Sequence, residues 1–237
     1  MNLSFSVEEH EHILNQLVDA YGVTRHQLRP LNDDLEDDVY GFTDRGHDFV
    51  LKVTPQARRS FASLQNQVDW VNFLAMHGAP VSRPIPSRHG NFVEQFPIND
   101  TTNEPKVSAV CSEYVSGERP NEATGTAELF QHWGQVIGQL HALTMRYRSL
   151  QPHSFIRGWD EDPICARHHI PANQTLILEK FDALLDYFRA LPQYPSIYGL
   201  VHSDLQANNL RVQQGKLWVF DFDDCEMNWF VSDIATA

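Results

Sequence analysis

Between residues 200 and 224 the chain reads LVHSDLQANNLRVQQGKLWVFDFDD, bringing His202, Asp204, Asn209, Asp221 and Asp223 into what reads as one short hairpin. An aspartate alone in a turn usually caps backbone, and a lone charge on a strand is usually solvated. The joint arrangement carries more. In LWVFDFDD, the period of two of a strand puts Asp221 and Asp223 on one face and Phe220 and Phe222 on the other. Neighbouring carboxylates repel unless a cation lies near them, and oxygen ligands of this kind suit Mg²⁺, which keeps several waters and bridges phosphate oxygens. In HSDLQANN, Asp204 and Asn209 are five apart in a loop of small polar residues. They can turn a carboxylate and an amide oxygen into one space, the makings of a base and a second metal ligand.

The elements that must hold these groups are outlined upstream. Ser6 and Glu9 form a capping box, and Ile13, Leu14, Leu17, Val18 and Tyr21 recur at helical spacing before Gly22. Strand-like runs follow at 28–31, 39–43 and 48–54, the last two joined by a turn at Arg45-Gly46. In DFVLKVT, alternation sets Phe49, Leu51 and Val53 against Lys52, so the lysine lies opposite the core face. A helix is expected from about Arg58 to His77, with Phe61, Leu64, Val68, Val71 and Ala75 on one stripe and Gly78 as its stop. The proline-rich PVSRPIPS reads as a lead-in to strands at 91–96 and 107–115. The turn-rich SGERPNEATGT then places a domain boundary near 115–120, followed by helices near 126–148 and 174–191 with a loop between them. Trp70, Trp133 and Trp218 read as core, His141 as a packed histidine and His168-His169 as surface.

Composition narrows the partners. At 237 residues a substantial core is available without staples, and Cys111, Cys165 and Cys225 suggest neither a disulfide framework nor a thiolate zinc site, so a reducing cytoplasm fits. The 31 acidic and 18 basic residues give a net charge of −13, which argues against nucleic acid and leaves metal–nucleotide complexes or amine-bearing substrates open. No leader-like start or membrane-length apolar run is present.

His-x-Asp-x4-Asn, then a hairpin and an apolar run ending in Asp, with a strand lysine upstream, is a kinase catalytic-loop and metal-aspartate pattern. HSDLQANN with VFDFDD, preceded by HDFVLKV, resembles the aminoglycoside phosphotransferase and choline kinase superfamily, whose fold is protein-kinase-like; LNDDLEDDVYGFTDRGHDFVLKV, NQVDWVNFLAMHGAPVSRPIPS and WGQVIGQLHALT extend the likeness. The resemblance implies an α+β, two-lobed fold: a small antiparallel-sheet lobe over 1–115 that binds nucleotide, and a partial, mainly helical lobe over 116–237. It implies transfer of the γ-phosphoryl group of Mg-ATP to a hydroxyl of a small molecule such as an aminoglycoside, choline or ethanolamine, homoserine or a sugar. Asp204 would take the acceptor's proton, and Asn209 and Asp221 would hold Mg²⁺. Lys52 would meet the α- and β-phosphates, Gln67 falls where the lysine's glutamate partner is usual, and backbone at Ser112, Tyr114 and Val115 would pair with adenine. Asp223 and His202 are further candidates, His202 as a brace for the loop, and Asp233 resembles a residue that supports it.

Several positions depart from the family pattern. The usual HGDLHPGN stands here as residues 202–209 without its glycines, second histidine or proline; Gln67 is uncharged, with Asp69 as an alternative partner for Lys52; and the nucleotide loop NDDLEDDV is acidic and lacks glycine. Members of the superfamily continue well past the equivalent of SDIA, so the second lobe is expected to lack helices and to expose an apolar face. Two rival readings are a catalytically impaired kinase-like module that binds nucleotide or a partner, and a haloacid-dehalogenase-type phosphatase using the first Asp of VFDFDD.

Overall fold

The computed structural model describes residues 5–31, 38–99, 107–121, 125–147, 156–161 and 167–237, and of Asp38 only the backbone. Helix α1 (Val7–Tyr21) begins at the capping box: the Ser6 hydroxyl accepts from the Glu9 N–H (3.2 Å) and the Glu9 carboxylate from the Ser6 N–H (2.8 Å). It ends at Gly22, whose φ of 67° is the left-handed conformation that glycine adopts without penalty. Ile13, Leu14, Leu17 and Ala20 form its buried face.

That face joins a core with the first sheet, made of β1 (Arg29–Pro30), β2 (Asp38–Asp44), β3 (His47–Pro55), β4 (Pro84–Ile85), β5 (Val93–Phe96) and β6 (Val107–Glu113). The strands run in the order β1-β2-β3-β6-β4, with β5 also paired to β6, and every pairing is antiparallel. Arg45 and Gly46 both have positive φ, the two-residue turn that matches the twist of a hairpin. Leu51 and Val53 are buried in the core while Lys52 points to the opposite side, as the alternation requires. The lead-in PVSRPIPS contains β4, which the sequence reading passed over; Pro84 lies on a strand at the end of the sheet path, where its missing N–H costs little.

Helix α2 (Phe61–Met76) is capped by Ser60, whose hydroxyl accepts from the Ser63 N–H at 3.2 Å. Leu64 and Val68 pack with Val93, whereas Trp70, Val71 and Leu74 join a second core with α3 (Ala127–Thr144) and residues 200–225. There the Trp70 indole donates to the Thr144 hydroxyl (3.0 Å) and meets Phe222 edge-on at 5.5 Å. Trp133 is in this core; Trp218 is only half-buried, beside Arg83 in an open groove, so its core assignment does not hold.

Helix α4 (Thr175–Arg189) has no buried residue and exposes Leu176, Ile177, Leu184 and Tyr187, so an apolar face is open to solvent. Among the described residues, no helix is long and apolar enough to cross a membrane.

The stretch 200–224 is not one hairpin. Strand β7 (Tyr198–Val201) pairs with β10 (Glu226–Trp229), and β8 (Leu210–Gln213) pairs with β9 (Lys216–Val219) inside that ribbon. Residues 202–209 and 220–225 are therefore the two crossings between the ribbons. Helix α5 (Val231–Thr236) follows β10.

Candidate active site

His202 is fully buried, and both ring nitrogens are used. Nδ1 accepts from the Asp204 N–H (3.2 Å), so the proton lies on Nε2, which donates to the Phe220 carbonyl at 3.1 Å. Burial holds its pKa below the ordinary histidine value, against the pull of Asp233 and neighbouring carboxylates, and keeps the ring neutral. The ring thus ties one crossing to the other. Phe220 returns the link, its N–H donating to the Asn209 carbonyl at 3.1 Å.

The next residue, Ser203, has φ of 68°, a left-handed conformation unusual outside glycine. It is held from two sides: its N–H donates to Asp233 (2.8 Å) and its hydroxyl to the buried Glu226 (2.8 Å). Asp233, on α5, also accepts from the His202 N–H (3.3 Å) and meets His141 Nε2 at 2.8 Å. His141 is thus packed and hydrogen-bonded, in keeping with its sequence reading. Where the family pattern has a glycine, this chain has a serine that β10 and α5 clamp in the left-handed region.

Asp204 and Asn209 are brought together. The Asn209 amide donates to the Asp204 carboxylate (2.6 Å) and to its carbonyl (2.9 Å), and Gln206 donates to the other carboxylate oxygen. Because the asparagine nitrogen faces Asp204, its side-chain oxygen is turned away and remains the atom able to meet a cation.

Lys52, Asp221 and Asp223 converge from opposite walls of a cleft of about 450 Å³, which Ser112, Tyr114, Val115 and Gln67 also line. Asp204 and Asn209 lie beside this cleft without lining it. The expected strand alternation fails here: β9 stops at Val219, and Asp221 takes φ of 62°. Phe220 consequently faces the cleft beneath Arg211, whose guanidinium lies 4.8 Å from the ring centre, while Phe222 is buried against Trp70 and His202. The two carboxylates still point the same way, and a lysine meets both. Lys52 hydrogen-bonds to Asp223 and stands 3.7 Å from Asp221.

The two aspartates differ. Burial raises the Asp221 pKa, Lys52 opposes the rise and Asp223 adds to it. For Asp223 burial also pushes upward, but Lys52 and Arg59 outweigh it and hold the carboxyl below its usual range. Gln67 does not contact Lys52 through any described bond; it donates to Asp223 (3.3 Å) and accepts from Arg59. Asp69 faces elsewhere, accepting from the Tyr147 hydroxyl.

At the cleft's far end, the Tyr114 N–H is committed to the Asp48 carbonyl (2.9 Å), and the Glu113 carbonyl to the Ser82 hydroxyl (2.7 Å). Val115 is the predicted adenine contact whose N–H has no acceptor among the described residues. The acidic loop NDDLEDDV lies almost wholly outside the described residues, as does Cys165; Cys111 and Cys225 are free and buried.

Among the described residues no three His, Cys, Asp or Glu side chains gather as a metal cage. One carboxylate and one amide oxygen, Asp221 and Asn209, are nonetheless the kind of sparse set that suits Mg²⁺ held mainly by phosphates and water. Arg59, Arg211 and Glu226 complete the site and were not read from the sequence. Arg211 had a signal in the alternation of LRV; Arg59, before a helix cap, and Glu226, after a run of aspartates, had none.

The sequence matches the phosphotransferase enzyme family over residues 27–237. It is 33% identical over 226 residues to the amicoumacin kinase of Bacillus subtilis (strain 168), covering 95% of this chain and 66% of that protein. The chain thus spans about two thirds of that relative's length. A solved amicoumacin kinase in complex with AMP-PNP, Ca²⁺ and Ami superposes with a TM-score of 0.87 at 32% identity, over 95% of this chain and 67% of the other. A microcompartment-associated aminopropanol kinase superposes with a TM-score of 0.72 at 29% identity, over 95% and 73%.

Proposed function

The chain belongs to the phosphotransferase enzyme family and has a protein-kinase-like α+β fold, and on that footing we propose that it transfers the γ-phosphoryl group of ATP to a hydroxyl of a small molecule. The observation that carries the reading is the meeting of Lys52 with Asp221 and Asp223 in a cleft whose other end is the strand exit at 112–115. Residues 1–115 would bind nucleotide, and 116–237 would carry the catalytic loop.

In this reading adenine sits against the strand exit, with the Val115 N–H as donor and the Phe220–Arg211 pair beneath it. Lys52 meets the α- and β-phosphates. Asn209 and Asp221 would hold Mg²⁺, which supplies neutralisation of charge on the phosphate oxygens. Asp204, its orientation fixed by Asn209 and Gln206, accepts the acceptor's hydroxyl proton as that oxygen bonds to the γ-phosphorus in line with the departing ADP oxygen. Positioning and charge neutralisation supply most of the rate, with no covalent enzyme intermediate. The relative named for aminopropanol, together with the net charge of −13, favours an amine-bearing alcohol as acceptor.

Calorimetry with Mg-ATP tests the nucleotide site: wild type binds, and Asp221→Ala loses most of the metal-dependent affinity. Phosphate transfer to a panel of amino alcohols then tests the reaction. Asp204→Asn should lower turnover by about 10²–10⁴-fold with nucleotide affinity preserved; retained turnover would remove Asp204 from its role.

A further inference from the structure

We infer that Asp223 is a positioning residue for Lys52, holding the negative charge that a helix glutamate holds in other kinases and that Gln67 does not carry. This rests on the reading that Lys52 meets nucleotide phosphate.

Four side chains, from β3, the turn after it, α2 and the 220–225 crossing, form one unbroken chain of contacts. Lys52, on β3, bonds to one oxygen of Asp223, and the other oxygen accepts from Gln67, on α2, at 3.3 Å. Gln67 is fixed in turn by Arg59, whose Nη1 is itself 3.7 Å from Asp223. The Arg59 N–H donates to the Pro55 carbonyl at the end of β3 (3.2 Å), so the arginine that closes the chain is anchored to the strand that carries the lysine.

The two aspartates consequently divide their work. The Asp223 side chain is 22% exposed and has both oxygens engaged by protein donors; that of Asp221 is 45% exposed and lies 3.7 Å from the lysine. A carboxylate with a protein donor on each oxygen is less available to a metal than that of Asp221, which has no such bond among the described residues. The amide of Gln67 and the carboxylate of Asp223 face each other across a single hydrogen bond. Exchanging them conserves the net charge and the bond, and moves the carboxylate to the helix.

The experiment is calorimetry of ADP in EDTA, where no metal contributes, on wild type, Asp223→Asn, and Asp223→Asn combined with Gln67→Glu. The single substitution should weaken ADP binding by about three- to tenfold, the scale set by holding one long side chain less firmly. The combined exchange should return the affinity to within about twofold of wild type. An unchanged affinity in Asp223→Asn, a loss seen only when Mg²⁺ is present, or no recovery in the exchange would each overturn the inference while leaving the phosphotransferase reading intact. Wild type that binds neither ADP nor Mg-ATP would overturn that reading, and this one with it. If Asp223→Asn does not fold, the combined exchange is compared directly with wild type: affinity within about twofold supports the positioning role, and a loss beyond about tenfold refutes it.

Discussion

The loop that carries Asp204 and the wall that carries Lys52 are built on opposite principles. Around the loop, the brace is sealed in: His202 is 0% and Asp233 1% exposed, and the His202 ring and the His202 and Ser203 N–H groups all have protein acceptors. Along the cleft wall, Lys52 and Asp221 keep 26% and 45% of their side-chain surface. A buried hydrogen-bonded brace fixes geometry because leaving any of its members unpaired is costly. Open charges fix little by themselves, since water competes with each ion pair, but they stay accessible to phosphate and metal. The chain thus separates the residues that hold shape from those that meet ligand.

Removing one residue from each region gives the widest separation. Asp233→Ala strands the His202 and Ser203 N–H groups and His141, and should cost about 3–5 kcal/mol of stability by denaturant titration. Lys52→Met should cost less than about 1 kcal/mol while abolishing most nucleotide affinity. Equal stability losses in the two variants would break the distinction.

That distinction was only half legible in the sequence. Placements that follow from local period were readable: α1 from its capping box and stripe, the side of the sheet on which Lys52 lies from the alternation in DFVLKVT, and the proximity of Asp204 and Asn209 from their spacing. Placements that follow from a backbone irregularity or a distant partner were not. Asp221 and Asp223 were placed on one strand face, but the strand ends at Val219 and the positive φ of Asp221 turns Phe220 toward the cleft and leaves Phe222 in the core. No local pattern announces that Arg59 will reach Asp223, or that Glu226 will hold Ser203 from 23 residues away. The strand β4 was hidden for a different reason: a sheet edge tolerates the proline that elsewhere marks a break.

The acid response should follow the same division. His202 is kept neutral by burial, its folded pKa below that of the unfolded chain, so above pH about 6.5 both states are unprotonated and stability does not change through this group. Below that pH the unfolded chain takes up a proton that the native state refuses. Stability is then lost as pH falls, by up to about 1.4 kcal/mol per pH unit from this one residue. Denaturation of wild type and His202→Asn at pH 7.5 and 5.5 isolates the contribution: the wild type should lose more on acidification. An equal loss would mean that His202 titrates normally and that the loop is open to water.

The smallest effect probes whether the brace replaces the glycine that the loop lacks. Ser203 sits at a φ that costs a non-glycine residue about 1–2 kcal/mol, offset by the hydroxyl's bond to a buried carboxylate, which is of comparable size. Ser203→Ala keeps the strained backbone and loses the bond, whereas Ser203→Gly loses the bond and relieves the strain. Glycine's greater freedom in the unfolded chain returns part of that gain. The glycine variant should therefore be the more stable of the two by about 1 kcal/mol, and should stay close to wild type. If alanine and glycine prove equally stable, Ser203 is not strained in the native loop, and its bond to Glu226 adds to a backbone that would hold its shape unaided.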